Sequence, residues 1–586
     1  MKFLKLNLIL LLIILLISTS TRLTLLKTYF GHIDDLGVAT TILDAKRYPP
    51  TVDSLLAEGQ LRAINKGTTS SRLRALVQIT ENPLGKKILE FLLPIYPYVA
   101  VPLVWTYAPL QFIFTSLLVN PEQSYETVKF WGRFPSLISA TSALFFMMAL
   151  AREIQPQQWT TLGVLLVAPL AFSLEISVMT AQMHNYALGV AVATGVLYLT
   201  VKDAKRVLDF TGWRFWLSRF FIWTLALYSI YQSVLLLPGY FIAQLVASWH
   251  LPSHQRWARI RKWCVWSMVI VLVFLPAYLF RVRTTAAIGW NAGPNQEFLF
   301  QPEGSFLLSS LQYFAVNGFI VVGSMLSPAI ESSIAFYVWT YLFCVFALIG
   351  LLGLLASLFR KDTTNPLKAL SCIILGGLVV LVILTLGQKL VLSPTRHLTL
   401  FAPILTVLFA YGVGVAISTH KQNWLSMVVF IISVALGLTY LTNFPHFKAA
   451  KQDLFSEKTL VNLVETEHAD LIIAMSREAL LMPSLRTKVP VLDMSKSGQY
   501  YKLGFSTTIN LSLKPQRILF IGQRPIAEKE CQNVKDFIQT AVSTQFDCHA
   551  LRPLMNQQTD VEVEFSQRTL NGSKSLYVAL FEQLSP

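Results

Sequence analysis

The sequence predicts a polytopic α-helical membrane protein with about 11–14 spans, followed by a soluble C-terminal α/β domain. Three observations predict it. The 586 residues are 54% hydrophobic and 14% charged, with a mean hydropathy of +0.53, whereas a soluble domain carries about 25% charged residues. Apolar runs without Asp, Glu, Lys or Arg recur at 91–121, 134–151, 154–174, 176–201, 220–249, 263–280, 305–330, 334–359, 369–388, 398–419 and 422–444. After 444 the pattern changes to short β-rich runs alternating with helical stretches, as a small layered α/β domain requires.

The first element is the apolar run 6–21, preceded by Lys2 and Lys5. A cleaved signal peptide is the alternative, with Ser18-Thr19-Ser20 near the cut, but many further spans follow and an uncleaved first span is the expectation. A polar excursion covers 21–90. Within it Val52, Leu55 and Leu56, and again Ile88, Phe91 and Leu92, fall at i, i+3, i+4. That spacing suits short amphipathic helices on the membrane interface or packed within a loop domain. The run 220–249 is too long for one untilted span and is expected to fold as two, turning near 228–232.

Orientation follows from the cations. Lys202, Lys205 and Arg206, the basic run 256–262, Arg360 and Lys361, and Lys421 all favour the inside. Simple alternation from the first span places 202–206 outside, so one segment among 91–201 is re-entrant or miscounted. Pro94, Pro97, Pro102 and Pro109 mark 91–121 as that segment. The crossing of 305–330 is also left open. With Lys421 inside, the loop 389–397 and the tail 445–586 lie outside. The formal charge of +16 then belongs to span-flanking cations facing anionic headgroups, and no nucleic-acid partner is expected. In the tail, the runs 470–474, 489–492, 517–521, 561–565 and 575–581 read as strands and 526–542 as helix, without a catalytic motif. Cys264, Cys344 and Cys372 read as small hydrophobes, while Cys531 and Cys548 are placed to pair in an oxidising compartment. No zinc-like Cys/His spacing and no glycine-rich phosphate loop occur.

Asp34-Asp35, in Gly31–Gly37, emerge just past the first span on the outer face. Adjacent acids there serve as general base or metal ligand toward a lipid-borne substrate, or simply keep the loop solvated. Three further stretches stand in order after them. They are Thr106-Tyr107-Ala108-Pro109-Leu110-Gln111-Phe112, then Arg133-Phe134-Pro135-Ser136, then Arg396-His397-Leu398-Thr399-Leu400-Phe401-Ala402-Pro403. Together these four stretches resemble the GT-C class of membrane glycosyltransferases, in particular the bacterial group related to protein O-mannosyltransferases and the lipid A aminoarabinose transferase. That class places an Asp-Glu or Asp-Asp pair after its first span, an aromatic His/Lys-Pro segment at its next span, a span opening Arg-Leu-Pro-Ser, and a late Arg-Tyr-Leu-Leu-Pro. Here the second stretch lacks the basic residue, His397 stands for the Tyr, and the late Pro falls further on. Gln182-Met183-His184-Asn185-Tyr186-Ala187-Leu188 is similar to the class's Glu-Ala-Arg-Met-Tyr-Ala-Leu but lacks its Glu and its Arg.

The resemblance implies a GT-C-like transmembrane catalytic domain over 1–444, with 21–90 as its first extracytoplasmic loop, and a soluble extracytoplasmic domain over 445–586, in a multi-pass protein of the cell (inner) membrane. It implies transfer of a sugar from a polyprenyl-phosphate carrier to an acceptor hydroxyl, with inversion. Asp34 matches the base and Arg396 the phosphate-binding arginine, with Lys389 and His397 in the same basic loop. Tyr107 and His184 are the matching substrate-binding positions. Asp35 orients the acceptor, holds a divalent metal ion, or solvates the loop. Two other functions stay open at this point. A glycolipid transporter or flippase would carry ionisable residues near the midplane, whereas here acids gather at one face. A non-catalytic glycolipid-binding assembly protein would keep the fold and lose the donor contacts of the 182–188 stretch.

Overall fold

The computed structural model describes residues 2–28, 38, 39, 41–43, 45, 46, 82–99, 108–205, 212–249, 251–279, 299–302, 304–331, 333–360, 365–390, 392, 395–417, 422–450, 457–474, 489, 491–493, 516–522, 551–565 and 568–582. They fall into two units. One comprises Met1–Tyr29, Thr106–Gln111 and Arg133–Gln452, the other Phe30–Trp105, Phe112–Gly132 and Asp453–Pro586.

In chain order the helices are α1 (Lys2–Thr28), α2 (Pro83–Leu92), α3 (Pro109–Leu118), α4 (Tyr125–Ile154), α5 (Trp159–Ala171), α6 (Leu174–Thr180), α7 (Tyr186–Lys205), α8 (Trp213–Ser229), α9 (Leu237–Ser248) and α10 (Ser253–Ala277). They continue as α11 (Phe306–Leu326), α12 (Ile334–Phe359), α13 (Asn365–Leu386), α14 (Ala402–Ile417), α15 (Gln422–Ala450) and α16 (Glu457–Thr466). Among the described residues nine helices are long and apolar enough to cross a membrane, ten counting the bent pair α5–α6. The protein is a multi-pass membrane protein with a helical membrane part.

The break between α5 and α6 turns the chain by 70°. Its local chemistry is plain. Pro169 removes a helical donor near the end of α5, and Ser173 then caps α6, its hydroxyl accepting from the Ile176 amide at 3.1 Å. Glu175 sits in the first turn of α6, the end of a helix that favours negative charge. The sequence divides this region at Glu175 into two spans. The structure redistributes it into the bent pair and α7, with the same number of passes.

Among the described residues of 91–121 no helix is long and apolar enough to cross a membrane. The longest, α3, has 10 residues, about 15 Å of rise, half of what a bilayer core needs. With it removed, alternation puts the end of α7 on the same face as the end of α4, and a salt bridge between Lys205 and Glu153 at 3.0 Å joins those two ends. The expected hairpin is also present. α8 stops at Ser229, a 3₁₀ turn covers Tyr231–Leu236, and α9 returns. Its two arms and α7 are pinned near the basic face by a buried carboxylate. Arg219 grips Asp203 with two nitrogens (2.7 and 2.5 Å), and the Tyr240 hydroxyl donates to it at 2.8 Å.

α11 is long and apolar enough to cross, yet its two ends meet the end of α13 and the start of α12. At its start, Phe300 packs on Phe306 and Tyr313 while the Phe300 carbonyl accepts from Gln388, just past the end of α13. The Tyr313 hydroxyl meets the Leu392 backbone. At its other end Ser324 donates to Glu331, three residues before α12 begins. Both ends therefore sit at one face. If α11 lies flat and the two shorter arms α8 and α9 cross, the ten candidate spans become eleven crossings.

The second unit holds α2, whose apolar stripe Ile88, Phe91 and Leu92 is exposed, as an interfacial helix requires; Val52, Leu55 and Leu56 lie outside the described residues. Its sheet has five strands, β1 (Leu471–Ala474), β2 (Val491–Asp493), β3 (Arg517–Gly522), β4 (Arg552–Phe565) and β5 (Arg568–Glu582), in the order β2-β1-β3-β5-β4. β1 is parallel to β2 and β3, whereas β5 is antiparallel to both β3 and β4. Ile518–Ile521 and Ala579–Phe581 are buried. Gln557–Phe565 and Arg568–Leu576 pair only with each other, so the β4–β5 hairpin runs beyond β3 as a two-stranded ribbon. Glu467 ties the start of β3 to the start of β4 through Arg517 (3.6 Å) and Arg552 (2.9 Å). Cys531, Cys548 and 526–542 lie outside the described residues.

Candidate active site

The site is built from helix ends. The last carbonyls of a helix have no partner within it, and a guanidinium aimed at them satisfies both the oxygen and the negative end of the dipole. Two buried arginines do this at the face opposite the basic one. Arg133, in the first-unit part of α4, donates to the Leu26 carbonyl at the end of α1 (3.0 Å). Arg22 of α1 donates to the Leu170 carbonyl at the end of α5 (2.8 Å). Tyr440 of α15 donates to Thr21 at 3.0 Å and lies 3.1 Å from the Ser177 hydroxyl of α6. The point where the chain leaves α1 for the Asp34-Asp35 loop is thus fixed from α4, α5, α6 and α15.

Beside it lies a buried polar knot. The Gln111 side-chain amide donates to Ser136 Oγ and to the His184 carbonyl, both at 2.6 Å. Ser136 Oγ lies 2.6 Å from the Gln182 carbonyl and 3.2 Å from that of His184. A hydroxyl has one proton, and the shorter contact places it on Gln182. The irregular backbone at 181–185, between α6 and α7, is therefore held by side chains from α3 and α4. Three stretches singled out in the sequence, 106–112, 133–136 and 182–188, meet here. The fourth arrives through the 3₁₀ turn Thr395–Phe401. Gly189, one turn into α7, lies so close that an added Cβ would stand 3.1 Å from Thr399 Oγ1 and 2.7 Å from Ile230 Cδ1. Glycine permits that approach.

The expected site residues are placed as follows. Asp34, Asp35 and Tyr107 lie outside the described residues. Arg396 and His397 occupy the 3₁₀ turn, and only their backbone is described. Lys389 is exposed just past α13. His184 is buried, its ring stacked on Tyr186 with centroids 3.9 Å apart. Gln111, Ser136, Arg22 and Tyr440 are the additions that the structure makes. Arg22 carried a usable signal, a charge inside the apolar span 6–27, where ionisable residues are costly and retained for a reason. Among the described residues no group of three or more His, Cys, Asp or Glu is placed to hold a metal ion.

No family model and no curated protein matches the chain. It is similar to two solved structures of ArnT from Cupriavidus metallidurans. The apo state aligns at 10% identity and a TM-score of 0.44. The structure bound to undecaprenyl phosphate aligns at 12% and 0.42. Each alignment covers 81% of this chain and 87% of the other.

Proposed function

We propose that this protein is a membrane glycosyltransferase that moves a sugar from a polyprenyl-phosphate carrier to an acceptor hydroxyl, with inversion, on the extracytoplasmic face of the inner membrane. The observation that carries the reading is the knot of Gln111, Ser136 and the 182–184 backbone. It gathers three of the sequence stretches that resemble those of a lipid-linked glycosyltransferase, beside the end of α1, from which the acid pair follows.

In this reading Asp34 takes the proton of the acceptor hydroxyl as its oxygen attacks the anomeric carbon. The bond from that carbon to the phosphate oxygen breaks on the opposite side, and the electron pair leaves with polyprenyl phosphate. Arg396 holds that phosphate as its charge develops, since a planar guanidinium offers paired charge-assisted hydrogen bonds. Lys389 and His397 add positive charge to the same loop, and Tyr107 and His184 shape the sugar-binding wall. Asp35 orients the acceptor. Two adjacent carboxylates also supply the oxygen donors that a hard divalent cation takes, and such a cation would neutralise phosphate charge there. The acceptor is a glycolipid, glycan or protein hydroxyl.

The test is transfer by the purified protein from a panel of polyprenyl-phosphate sugars, read as release of free polyprenyl phosphate. Release that depends on an added acceptor is expected. Movement of the intact lipid-linked sugar across a vesicle membrane with no release would replace this reading with transport.

A further inference from the structure

The basic face carries a second feature, remote from the acid pair. Residues 210–280 contain no Asp or Glu but six cations. Two of them, Arg219 and Arg259, are drawn inward, Arg219 onto Asp203. Arg214, Arg261 and Lys262 are exposed, and among the described residues they have no acidic partner. α8 and α10 run in parallel. Trp216 packs on Trp263 with centroids 4.7 Å apart, Trp223 on Trp266 at 6.3 Å, and the Tyr228 hydroxyl donates to the Val273 carbonyl at 3.0 Å. In that register Arg214 is level with Arg261 and Lys262.

Below these cations each helix shows an outward apolar stripe at helical spacing. On α8 it is Leu217, Phe221 and Leu225, and on α10 it is Val265, Met268 and Leu272, all exposed. A tryptophan heads each stripe, Trp213 at 69% exposure and Trp257 at 66%. Arg214 is stacked on Trp213 at 5.9 Å. Cations at headgroup level, aromatic rings beside them and apolar rails beneath are the complement of one ligand chemistry, a phosphodiester on two acyl chains.

We propose that the outer face of α8 and α10 binds an anionic glycerophospholipid of the leaflet at the basic end, with Arg214, Arg261 and Lys262 taking the phosphate and the two stripes taking the chains. Cations with no acidic partner among the described residues favour an anionic headgroup over a zwitterionic one. The site is independent of the transfer chemistry at the opposite face.

Native mass spectrometry of the detergent-purified full chain, titrated with phosphatidylglycerol or with phosphatidylcholine, tests it. Wild type is expected to bind the first phosphatidylglycerol more tightly than phosphatidylcholine, with an affinity that falls as salt rises. Equal affinity for the two lipids overturns the proposal without any variant. The triple variant R214Q/R261Q/K262Q is expected to lose phosphatidylglycerol affinity by roughly 100-fold, about fivefold for each cation, and to keep its phosphatidylcholine affinity. R214K/R261K keeps the charge and should retain binding. Arg152→Gln, which removes an exposed cation at the same end from α4, should change affinity less than twofold. A triple variant that binds like wild type, or an Arg152→Gln variant that loses as much as the triple, shows a diffuse surface field and no site.

Discussion

Asp34 stands eight residues past Leu26, the carbonyl that Arg133 holds, so its loop starts from a fixed point. If Asp34 is the base, Asp34→Asn keeps the shape and loses proton acceptance. Transfer should then fall by roughly 10²–10⁴-fold, the scale of general base catalysis, with carrier binding unchanged. Wild-type turnover by the purified variant would remove Asp34 from the mechanism. Arg396 is tested on the other substrate contact. Arg396→Lys keeps charge but loses the planar fork, and Arg396→Ala loses both. Carrier-linked donor use should drop in that order, by about 10–150-fold for Ala, equivalent to about 1.5–3 kcal/mol of charge-assisted bonding. Inhibition by free polyprenyl phosphate should weaken in parallel, because the contact is to the carrier. If both measures stay at wild-type values, Arg396 is an interfacial anchor. These two assignments are expectations that the sequence alone can raise, because each rests on a charged residue at a span end. For Ser136 and Gln111 it raises none. Their role is to hold carbonyls 46 to 73 residues away along the chain, and a neutral hydroxyl or amide in an apolar run signals nothing until the chain is folded.

Element by element, apolar periodicity located the long helices and missed where they bend or approach. The α5–α6 break lies inside an apolar region, set by Pro169 and the Ser173 cap, whereas the sequence divided it at the charge of Glu175. α12 and α14 cross where Gly350 faces the Leu408 backbone and Gly412 faces the Phe346 backbone, each too close for a Cβ. Small residues allow such crossings in a bilayer, but nothing in one glycine names its partner. The β4–β5 hairpin is longer than the expected strands because its far part pairs only with itself. The basic run at 202–206 hid an acid that matters more than its neighbours. Asp203 is fully buried, with Arg219 and Tyr240 on it. Removing one member of a buried ion pair strands the other charge and costs about 3–5 kcal/mol, while replacing both by apolar residues is often neutral. Asp203→Leu should therefore lower the thermal stability of the purified protein strongly. Asp203→Leu with Arg219→Leu should recover most of it. A double variant as unstable as the single would show that the pair does not act as a unit.

For the whole molecule, the decisive quantity is the parity of crossings. Counting from Lys2, the eleven crossings put the ends of α4, α7, α9, α12 and α14 on one face, with the starts of α5, α8, α10, α13 and α15. Every one of these junctions that carries Lys or Arg then falls on the same side, including Arg152, Lys205, Arg214, Arg256, Arg261 and Arg360. Had α3 or α11 crossed, the cations on either side of it would face opposite compartments, against the tendency of short basic loops to stay inside. The Lys205–Glu153 bridge tests the first half of this count locally, and the Gln388–Phe300 hydrogen bond tests the second. An odd total also separates the chain's beginning from its end. This count predicts that the acid pair after α1, the loop 389–397 and the tail after α15 emerge opposite the cations. A reporter active only in the cytoplasm should accordingly be active when fused after Lys421 or Arg206 and silent when fused after Pro586 or at Gln388. A fusion within 281–298, between α10 and α11, is the most discriminating. α11 lying flat predicts silence there and silence again at Ser327–Glu331. A change of sign between those two positions would mean that α11 crosses, and the orientation of everything before it would reverse.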